Sequence, residues 1–586
     1  MDGDCSAVNK RRRPDSRFFS KKPELRTLLL WLAPLLFLLL FYFLPMGSIL
    51  ELSLSRGDTA ALQDVIQTLF SDSIRDIVAF TFGQALLSTF LTLVIGLPGA
   101  YLFARFRFRG KSILRALMGI PFVLPTLVVA AAFNALLGPR GWVNLGLMQT
   151  FNLAAPPIAF NNTLAAILLA HIFYNTTIVL RTVGDYWSSL DPRLPQAARM
   201  LGANPVQAFS RITLPLLSPA IAAAALLVFL FDFTSFGVIL LLGGPQYVTL
   251  EVEIYLQTVG YLNLPLAAAL SLLQLACTLA LTILYTRLSG KIQQPVERKS
   301  AEITQRVPRG KQRIFTALIL IILVSLLLSP LAALAVRSVT RLDPERRQQS
   351  GFEKGITLDY YRALEENPRQ SLFYVPPVQA VRNSLSYAVL TVLFTLALGL
   401  PASWALAYDH GSRLNRLLDP LLMLPIGTSA VTLGLGFIIT LDQPPLDLRT
   451  SAILIPLAHT LVAFPFVVRS LTPSLRSIQP RLREAASMLG ASPWKVFLRI
   501  DAPLIGRAVL VAAAFAFAIS MGEFGATALI ARPEFPTIPI VIYRFLAQPG
   551  GMNYGQAMAL STILMVTTGG GILAIEKLRF EEIGSF

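Results

Sequence analysis

The sequence contains few charged residues and almost no cysteine. Asp, Glu, Lys and Arg make up 14% of its 586 residues, whereas about a quarter is usual in a soluble globular protein. Cys5 and Cys277 are the only two cysteines, which is too few for a disulfide framework or for a metal site built from thiolates. These shortages argue against a soluble globular protein and against a disulfide-stabilised one.

The motifs that mark nucleotide hydrolysis or catalysis are also missing. The nearest match to the phosphate-binding motif GxxxxGK[ST] is Gly110-Lys111-Ser112, but Arg105 stands where the leading glycine should be. The sequence has no HExxH motif, no cysteine cluster and no GxSxG motif. We therefore expect this chain not to be an enzyme, to need no cofactor, and to depend on a separate subunit for any ATP hydrolysis.

What the sequence does contain is a series of long apolar runs. Hydrophobic residues make up 54% of the chain, and about 20 consecutive apolar residues can cross a bilayer as a helix. A transmembrane barrel would instead show segments of about ten residues with alternating polarity. The sequence therefore predicts an all-α polytopic membrane protein with twelve spans, near residues 27–49, 76–104, 113–138, 163–185, 216–242, 262–286, 314–337, 383–408, 417–441, 451–472, 506–531 and 552–576.

The distribution of Lys and Arg predicts the orientation of these spans. Cytoplasmic loops of membrane proteins are rich in Lys and Arg, which explains the net charge of +17 without invoking nucleic acid. The stretch RFRFRGK at 105–111 is strongly basic, whereas the loops 139–162 and 243–261 are nearly free of basic residues. We expect both termini in the cytoplasm and a small external cap at 338–382. The apolar run after the basic tail 1–26 is too long for a signal peptide, so it is interpreted as a retained span.

The chain is also internally duplicated. Several residues recur 288 positions later, namely His171 as His459, Phe236-Gly237 as Phe524-Gly525 and Tyr255 as Tyr543. Each copy begins inside and contains six spans, so the copies have the same orientation and a pseudo-twofold axis along the membrane normal relates them. The predicted organisation is an N-terminal tail (1–26), a first transmembrane repeat (27–286), a cytoplasmic linker (287–313), a second transmembrane repeat (314–576) and a C-terminal tail (577–586).

One polar segment occurs in both copies on the cytoplasmic side, as Asp191–Leu216 and Gln479–Leu504; we name these the first and second repeated segments. Each is predicted to form two short helices separated by a glycine in the left-handed conformation. The glycines are Gly202 and Gly490, the caps of the second helices are Asn204 and Ser492, their first residues are Pro205 and Pro493, and Pro215 and Pro503 are expected to end the segments. Such a segment suits a groove on a partner protein; the alternative is an amphipathic helix resting on lipid headgroups.

The repeated segments resemble the EAA motif of the permease subunits of type I binding-protein-dependent ABC importers. The second segment matches at Glu484, Ala485, Ala486, Gly490, Ile500 and Pro503, and the first at Ala197, Ala198, Gly202, Ile212, Leu214 and Pro215. The sequence departs from the motif at Gln196, which replaces the acidic residue, and at Ala502, which replaces a leucine. The resemblance implies that the residues contacting the ATPase subunits are Gln196, Ala197, Ala198, Gly202, Pro205, Glu484, Ala485, Ala486, Gly490 and Pro493.

The resemblance also implies partners, location and cargo. It implies two ATPase subunits at the cytoplasmic face and an extracytoplasmic solute-binding protein as partners, and it implies no nucleic-acid partner. It also implies that the chain lies in a bacterial inner membrane. The stretches 240–257 and 520–544 are similar to those of fused two-repeat permeases for thiamine and for ferric iron. Thiamine or a thiamine phosphate is the favoured cargo and ferric iron the alternative. An ion-coupled secondary transporter is the alternative of another class, since such transporters also carry parallel repeats.

Two carboxylates inside predicted spans are candidates for the substrate pathway. Ionisable groups in a membrane are costly and so suggest function, and Asp232 and Glu523 both lie in a fifth span, near Phe236 and Phe524. A cationic substrate would gain from the carboxylates and from stacking on the rings. The alternative is that each carboxylate caps a broken helix. The matched histidines could bind a metal or, more simply, hydrogen-bond a neighbouring helix. The prolines at 98, 121, 125, 401 and 425 are expected to kink or interrupt helices.

Overall fold

A computed structural model describes residues 25–54, 59–289, 305–341, 355–366, 375–408, 413–442 and 447–580. The predicted tails and most of the linker 287–313 lie outside these ranges. Within them every named element is a helix, and the only β structure is two isolated bridges, Phe106 with Arg306 and Thr340 with Ile356. The all-α fold class is confirmed.

The described residues of the first half form fourteen α-helices. They are α1 (Leu25–Leu38), α2 (Leu44–Ser53), α3 (Thr59–Leu69), α4 (Asp72–Arg105), α5 (Lys111–Leu117), α6 (Thr126–Leu137), α7 (Trp142–Phe151), α8 (Leu164–Ser189), α9 (Arg193–Met200), α10 (Pro205–Ala208), α11 (Leu214–Phe233), α12 (Gly237–Leu242), α13 (Leu250–Tyr255) and α14 (Leu264–Ser289).

The described residues of the second half form twelve α-helices. They are α15 (Lys311–Arg337), α16 (Asp359–Arg362), α17 (Pro377–Tyr408), α18 (Arg413–Met423), α19 (Ala430–Thr440), α20 (Leu454–Ser477), α21 (Pro480–Met488), α22 (Pro493–Val496), α23 (Ala502–Gly522), α24 (Gly525–Ile530), α25 (Ile538–Ala547) and α26 (Gly551–Phe580).

Ten helices among the described residues are long and apolar enough to cross a membrane, and an eleventh span is possible if one bent helix pair is counted. These overlap the first eleven predicted spans, but the third is displaced: it runs over Thr126–Phe151 and so includes part of the predicted loop 139–162. Helix α26 lies where the twelfth span is predicted, and its side chains beyond Gly571 are outside the description. The chain is therefore a multi-pass membrane protein.

Four of the predicted spans are not single straight helices. The predicted span 113–138 is divided into α5, a 3₁₀ turn at Pro121–Val123 and α6, and the predicted span 417–441 bends by 97° at Thr428–Ser429. Proline lacks an N–H and cannot continue the helical hydrogen-bond pattern, which accounts for these two interruptions. The predicted fifth spans 216–242 and 506–531 are wrong as continuous helices. The helix ends at Phe233 in the first and at Gly522 in the second, and a new helix starts at Gly237 and at Gly525. Pro98 and Pro401, in contrast, lie inside unbroken helices.

The two halves pack in the same way around a central helix. In the first half α4, α8 and α11 pack together, and in the second half α17, α20 and α23 do the same. About 72% of the apolar window of α8 and of α20 is buried, against 28% for α15. Helices α8 and α20 are thus the protein-facing centre of each half, and α15 exposes its apolar side chains to lipid.

The first span of each half packs against the opposite half. Helices α1 and α2 contact α17 and α19, and Trp31 Nε1 donates to Asn415 Oδ1 at 3.2 Å while the hydroxyls of Tyr42 and Thr428 lie 2.8 Å apart. Reciprocally, α15 contacts α6 and α4. The halves are therefore linked by exchanged helices, which the linear repeat boundaries do not indicate.

Part of the predicted external cap is described. Helix α16 places the buried ring of Tyr360 directly over Gly555, where any side chain would collide with the ring. Gln556 Nε2 donates to the Ala363 carbonyl at 2.9 Å. The segment 355–366 thus rests on the N-terminal end of α26.

Candidate functional site

The two repeated segments have the predicted helix–glycine–helix form. Gly202 and Gly490 have φ values of +91° and +79°, which are left-handed. The amide after each glycine bonds five residues back, Ala203 to Ala198 O and Ala491 to Ala486 O, both at 3.0 Å, as in a Schellman motif. The sequence therefore predicts these turns correctly.

The second helices of the segments begin at Pro205 and Pro493, as predicted. Asn204 forms a capping box with Gln207, with bonds of 2.8 and 3.0 Å. The cap by Ser492 stays a prediction. Pro215 and Pro503, however, do not end the segments, because a π turn at 209–213 and at 497–501 carries the chain without interruption into α11 and α23. A π turn widens the helix, which accommodates a proline that lacks a donor.

Both segments present the same apolar side chains to solvent. Met200 and Leu201 are each 89% exposed, and so are Met488 and Leu489 at the matched positions. The predicted contact residues Gln196, Ala197, Gly202, Pro205, Glu484, Ala485 and Gly490 are also exposed, and Ala198 and Ala486 are half-buried. The two repeated segments thus present matching exposed surfaces.

The segments are attached to their halves by different contacts. In the first, Phe209 packs on Trp187, and Trp187 on Tyr101, with ring centroids 6.2 and 5.1 Å apart. In the second, Phe497 packs on Trp404 and on Trp494, at 5.6 and 5.4 Å.

The second segment also contains an ion pair. Arg483 Nε donates to Asp501 Oδ1 at 2.8 Å, and the Arg483 guanidinium lies 5.5 Å from the Trp404 ring. The matched residues of the first segment are Pro195 and Thr213, which cannot form an ion pair.

Deep in the membrane-spanning part, the first fifth span breaks between α11 and α12 beside a buried polar cluster. Asp232 is 1% exposed, and its Oδ1 accepts from Asn175 Nδ2 at 2.6 Å and lies 3.4 Å from His171 Nδ1. The other ring nitrogen, Nε2, lies 2.8 Å from Ser235 Oγ. The carboxylate is therefore bonded within its own half.

The second half has an equivalent cluster at the break between α23 and α24. Glu523 is 7% exposed; it accepts from the amides of Ala526 and Thr527 at 2.8 and 3.0 Å and caps α24. His459 Nε2 lies 3.4 Å from Glu523 Oε2, and its Nδ1 lies 2.8 Å from Ser520 Oγ. The alternative interpretation of Glu523, as the cap of a broken helix, describes what is seen here.

Between the two breaks, four aromatic rings form a row across the boundary of the halves. Phe236 and Phe524 stack with centroids 5.3 Å apart and an interplanar angle of 23°. Tyr255 packs on Phe236 at 5.3 Å, and Tyr543 packs on Phe524 at 5.6 Å. Because these are matched pairs at the 288-residue offset, the row has the internal symmetry of the chain. A side chain at Gly237 would collide with Thr126, so the break needs glycine to bring the rings together.

Sequence reasoning places Glu251 in the external loop 243–261 and does not single it out. In the structure Glu251 is 2% exposed and accepts from the Ser429 hydroxyl and, at 3.4 Å, from Gln274 Nε2. Ser429 in turn caps α19 of the other half. An acidic residue between apolar neighbours, Leu250 and Val252, is the signal in the sequence that could have identified this link.

The matched histidines contact carboxylates and hydroxyls and do not form a larger ligand cluster. Among the described residues no group of three or more His, Cys, Asp or Glu is arranged to hold a metal ion. Hydrogen bonding to neighbouring helices describes both His171 and His459.

The sequence of the chain is similar to those of known transport proteins. The family model described as "Binding-protein-dependent transport system inner membrane component" matches residues 93–294 and again 399–575. The "Thiamine transport system permease protein ThiP" of Salmonella typhimurium is 29% identical over 513 residues, covering 86% of this chain and 89% of the relative. The protein of the same name from Haemophilus influenzae is 27% identical over 537 residues, covering 91% and 93%. A "Probable ABC transporter permease protein y4fN" of Sinorhizobium fredii is 24% identical and covers 92% of this chain and 94% of the relative.

Proposed function

Because the chain belongs to the family of binding-protein-dependent transport system inner membrane components, we propose that it is the permease of an ATP-driven importer of thiamine or a thiamine phosphate. One chain provides both halves of the pathway. An extracytoplasmic solute-binding protein delivers the substrate, and two separate ATPase subunits supply the energy. Both termini lie in the cytoplasm of a bacterial cell, and the chain lies in the inner membrane.

The observation that carries the proposal is the pair of equivalent exposed surfaces on the repeated segments. Exposing the large apolar side chains of Met200 and Leu201 to water is unfavourable, and the same exposure recurs at Met488 and Leu489. Fully exposed apolar side chains at matched positions are typical of a protein interaction surface. Two equivalent surfaces call for two equivalent partners, and in this family the fitting partner is an ATPase subunit.

The choice of thiamine is supported by the relatives and by the aromatic row. Two of the relatives, matched over about nine-tenths of their length, are named as thiamine permeases, and thiamine contains a cationic aromatic ring that stacks on Phe, Tyr or Trp. Phe236 and Phe524 are proposed to line the pathway. Asp232 and Glu523 remain proposed pathway residues, and either would have to release its present hydrogen bonds to meet a substrate.

The proposal is tested by reconstitution with the cognate binding protein and ATPase. Wild-type proteoliposomes should take up labelled thiamine only with ATP. Gly202→Val together with Gly490→Val should abolish both uptake and co-purification of the ATPase, because a β-branched residue is strained at positive φ. Gly506→Val is the matched control, since its backbone is helical and no atom lies within 4 Å of an added Cβ.

Two results would contradict the proposal in different ways. ATPase binding that survives in the double variant would remove the docking role of the repeated segments. Uptake of ferric iron but not of thiamine would show that the proposed substrate is wrong and would leave the proposed importer mechanism unchanged. Uptake driven by an ion gradient without ATP would favour the secondary-transporter alternative.

A further inference from the structure

A cavity opens at the cytoplasmic end of the first half, apart from the repeated segments and the aromatic row. Its volume is about 130 Å³, and it lies between the end of α4, α5 and the last turns of α8. Phe103, Met118 and Leu180 form an apolar part of the lining. Arg115 and Arg181 contribute two guanidinium groups. The cavity therefore combines an apolar floor with a cationic rim.

The linker forms part of the wall of this cavity. The linker is bonded to the loop after α4, with Arg107 N donating to Arg306 O and Arg306 N to Arg105 O, both at 3.0 Å. This pairing brings Gln305 into the lining. Basic walls around a concave, partly desolvated space focus the field on an anion.

One acidic side chain also lines the cavity. Asp185 accepts a hydrogen bond from Arg115 Nη2, and both side chains are more than half exposed. A guanidinium has five N–H donors, so Arg115 can keep this partner and still bind an anion. The pair also holds Arg115 against α8, which fixes the rim of the cavity.

By sequence, the second half matches the lining of this cavity only in part. At the 288-residue offset Arg181 corresponds to Arg469, but Asp185 corresponds to Pro473, and the linker that provides Gln305 occurs only once. The tendency of cytoplasmic loops to be basic applies to both halves. It accounts for the charge of the loops and does not account for the placement of Arg115 and Arg181 in the wall of one cavity.

We propose that this cavity binds a phosphate group, with Arg115 and Arg181 as its ligands. Arginine pairs with phosphate through parallel charge-assisted hydrogen bonds, and basic pockets between membrane helices on the cytoplasmic side suit anionic lipid headgroups. The phosphate can come from an anionic phospholipid, whose first carbons would lie on Phe103 and Leu180, or from a free phosphate compound of the cytosol.

The lipid source is tested by native mass spectrometry of the purified full-length chain in detergent with added cardiolipin or phosphatidylglycerol. The wild type should keep anionic lipid through delipidation and should not keep phosphatidylcholine. Arg115→Ala together with Arg181→Ala should weaken this binding by about tenfold or more, whereas Arg469→Ala, the matched control, should leave it unchanged. Asp185→Asn should strengthen it, a gain that a folding defect cannot mimic.

The free-phosphate source is tested by thermal unfolding in neutral detergent with inorganic phosphate or pyrophosphate. Stabilisation of the wild type that is lost in the double arginine variant and kept in Arg469→Ala assigns the site to free phosphate. The proposal is overturned if the double variant retains anionic lipid like the wild type and inorganic phosphate and pyrophosphate stabilise neither protein. Loss of lipid in Arg469→Ala to the same extent would also overturn it, because the effect would then be one of general charge.

Discussion

At the residue scale, the two buried histidines use equivalent geometry with exchanged partners. In the first half, Nδ1 of His171 faces Asp232 and Nε2 faces Ser235. In the second half, Nδ1 of His459 faces Ser520, the match of Asp232, and Nε2 faces Glu523, the match of Ser235. The carboxylate therefore lies on opposite sides of the imidazole in the two halves. The sequence identifies these residues as matched and costly to bury. It does not reveal the exchange, because which ring nitrogen faces which residue depends on the packing of three helices.

Glu523 should contribute more to stability than its counterpart Ser235. Glu523→Ala would leave the amides of Ala526 and Thr527 buried without a partner, at a cost of about 3 kcal/mol or more. Glu523→Gln keeps one acceptor and should cost about half as much. Ser235→Ala, the matched control, removes one bond to His171 and should cost about 1 kcal/mol. Unfolding in mixed micelles measures all three, and equal losses for Glu523→Ala and Ser235→Ala would contradict the assigned capping role.

At the scale of elements, local chemistry predicts the repeated segments well up to the π turns. The positive φ of the glycines and the Asn204 cap depend on neighbours within five residues, so the local sequence is enough to predict them. The local sequence also predicts that the segment ends at Pro215, because proline cannot continue the helical hydrogen bonds. The helix continues through a π turn, and Phe209 of this turn packs on Trp187 of α8. That contact joins two different helical elements and is not visible in the local pattern around Pro215.

The Arg483–Asp501 ion pair should make the second repeated segment more rigid than the first. Asp501 is 3% exposed, and removing one partner of a buried pair leaves an uncompensated charge that costs about 3 kcal/mol. Arg483→Ala should therefore accelerate amide hydrogen exchange in residues 480–500 and leave residues 193–208 unchanged. Arg481→Ala, which is exposed on the same helix, is the control. Equal exchange in wild type and Arg483→Ala would show that Trp404 and Phe497 alone position the segment.

At the scale of the whole molecule, the duplication predicts the architecture but not the way in which the halves are joined. Counting spans and matching residues at a fixed offset indicates two similar halves with one orientation. The packing of α1 and α15 on the opposite halves depends on contacts such as the hydrogen bond from Trp31 to Asn415, which lies 384 residues further along the chain. The hydrogen bond from Ser429 to Glu251 also joins the two halves. These links make the interface between the halves a continuous part of the interior, and the aromatic row is its centre.

The aromatic row should close the pathway in the state described here and contact the substrate when it opens. Phe236→Ala together with Phe524→Ala removes the stacked pair, so proteoliposomes should leak thiamine without ATP. Phe236→Leu with Phe524→Leu keeps most of the side-chain volume, so the pathway should remain closed. The leucines cannot provide the cation–π contribution of about 0.5–2 kcal/mol, which predicts a KM for uptake raised about 2- to 30-fold.

Phe229→Ala is the control, because Phe229 stacks on Phe233 at 6.0 Å and takes no part in the row. A sealed alanine variant would show that other residues close the pathway. An unchanged KM in the leucine variant would separate closure from substrate contact, because the rings would then act only as a barrier.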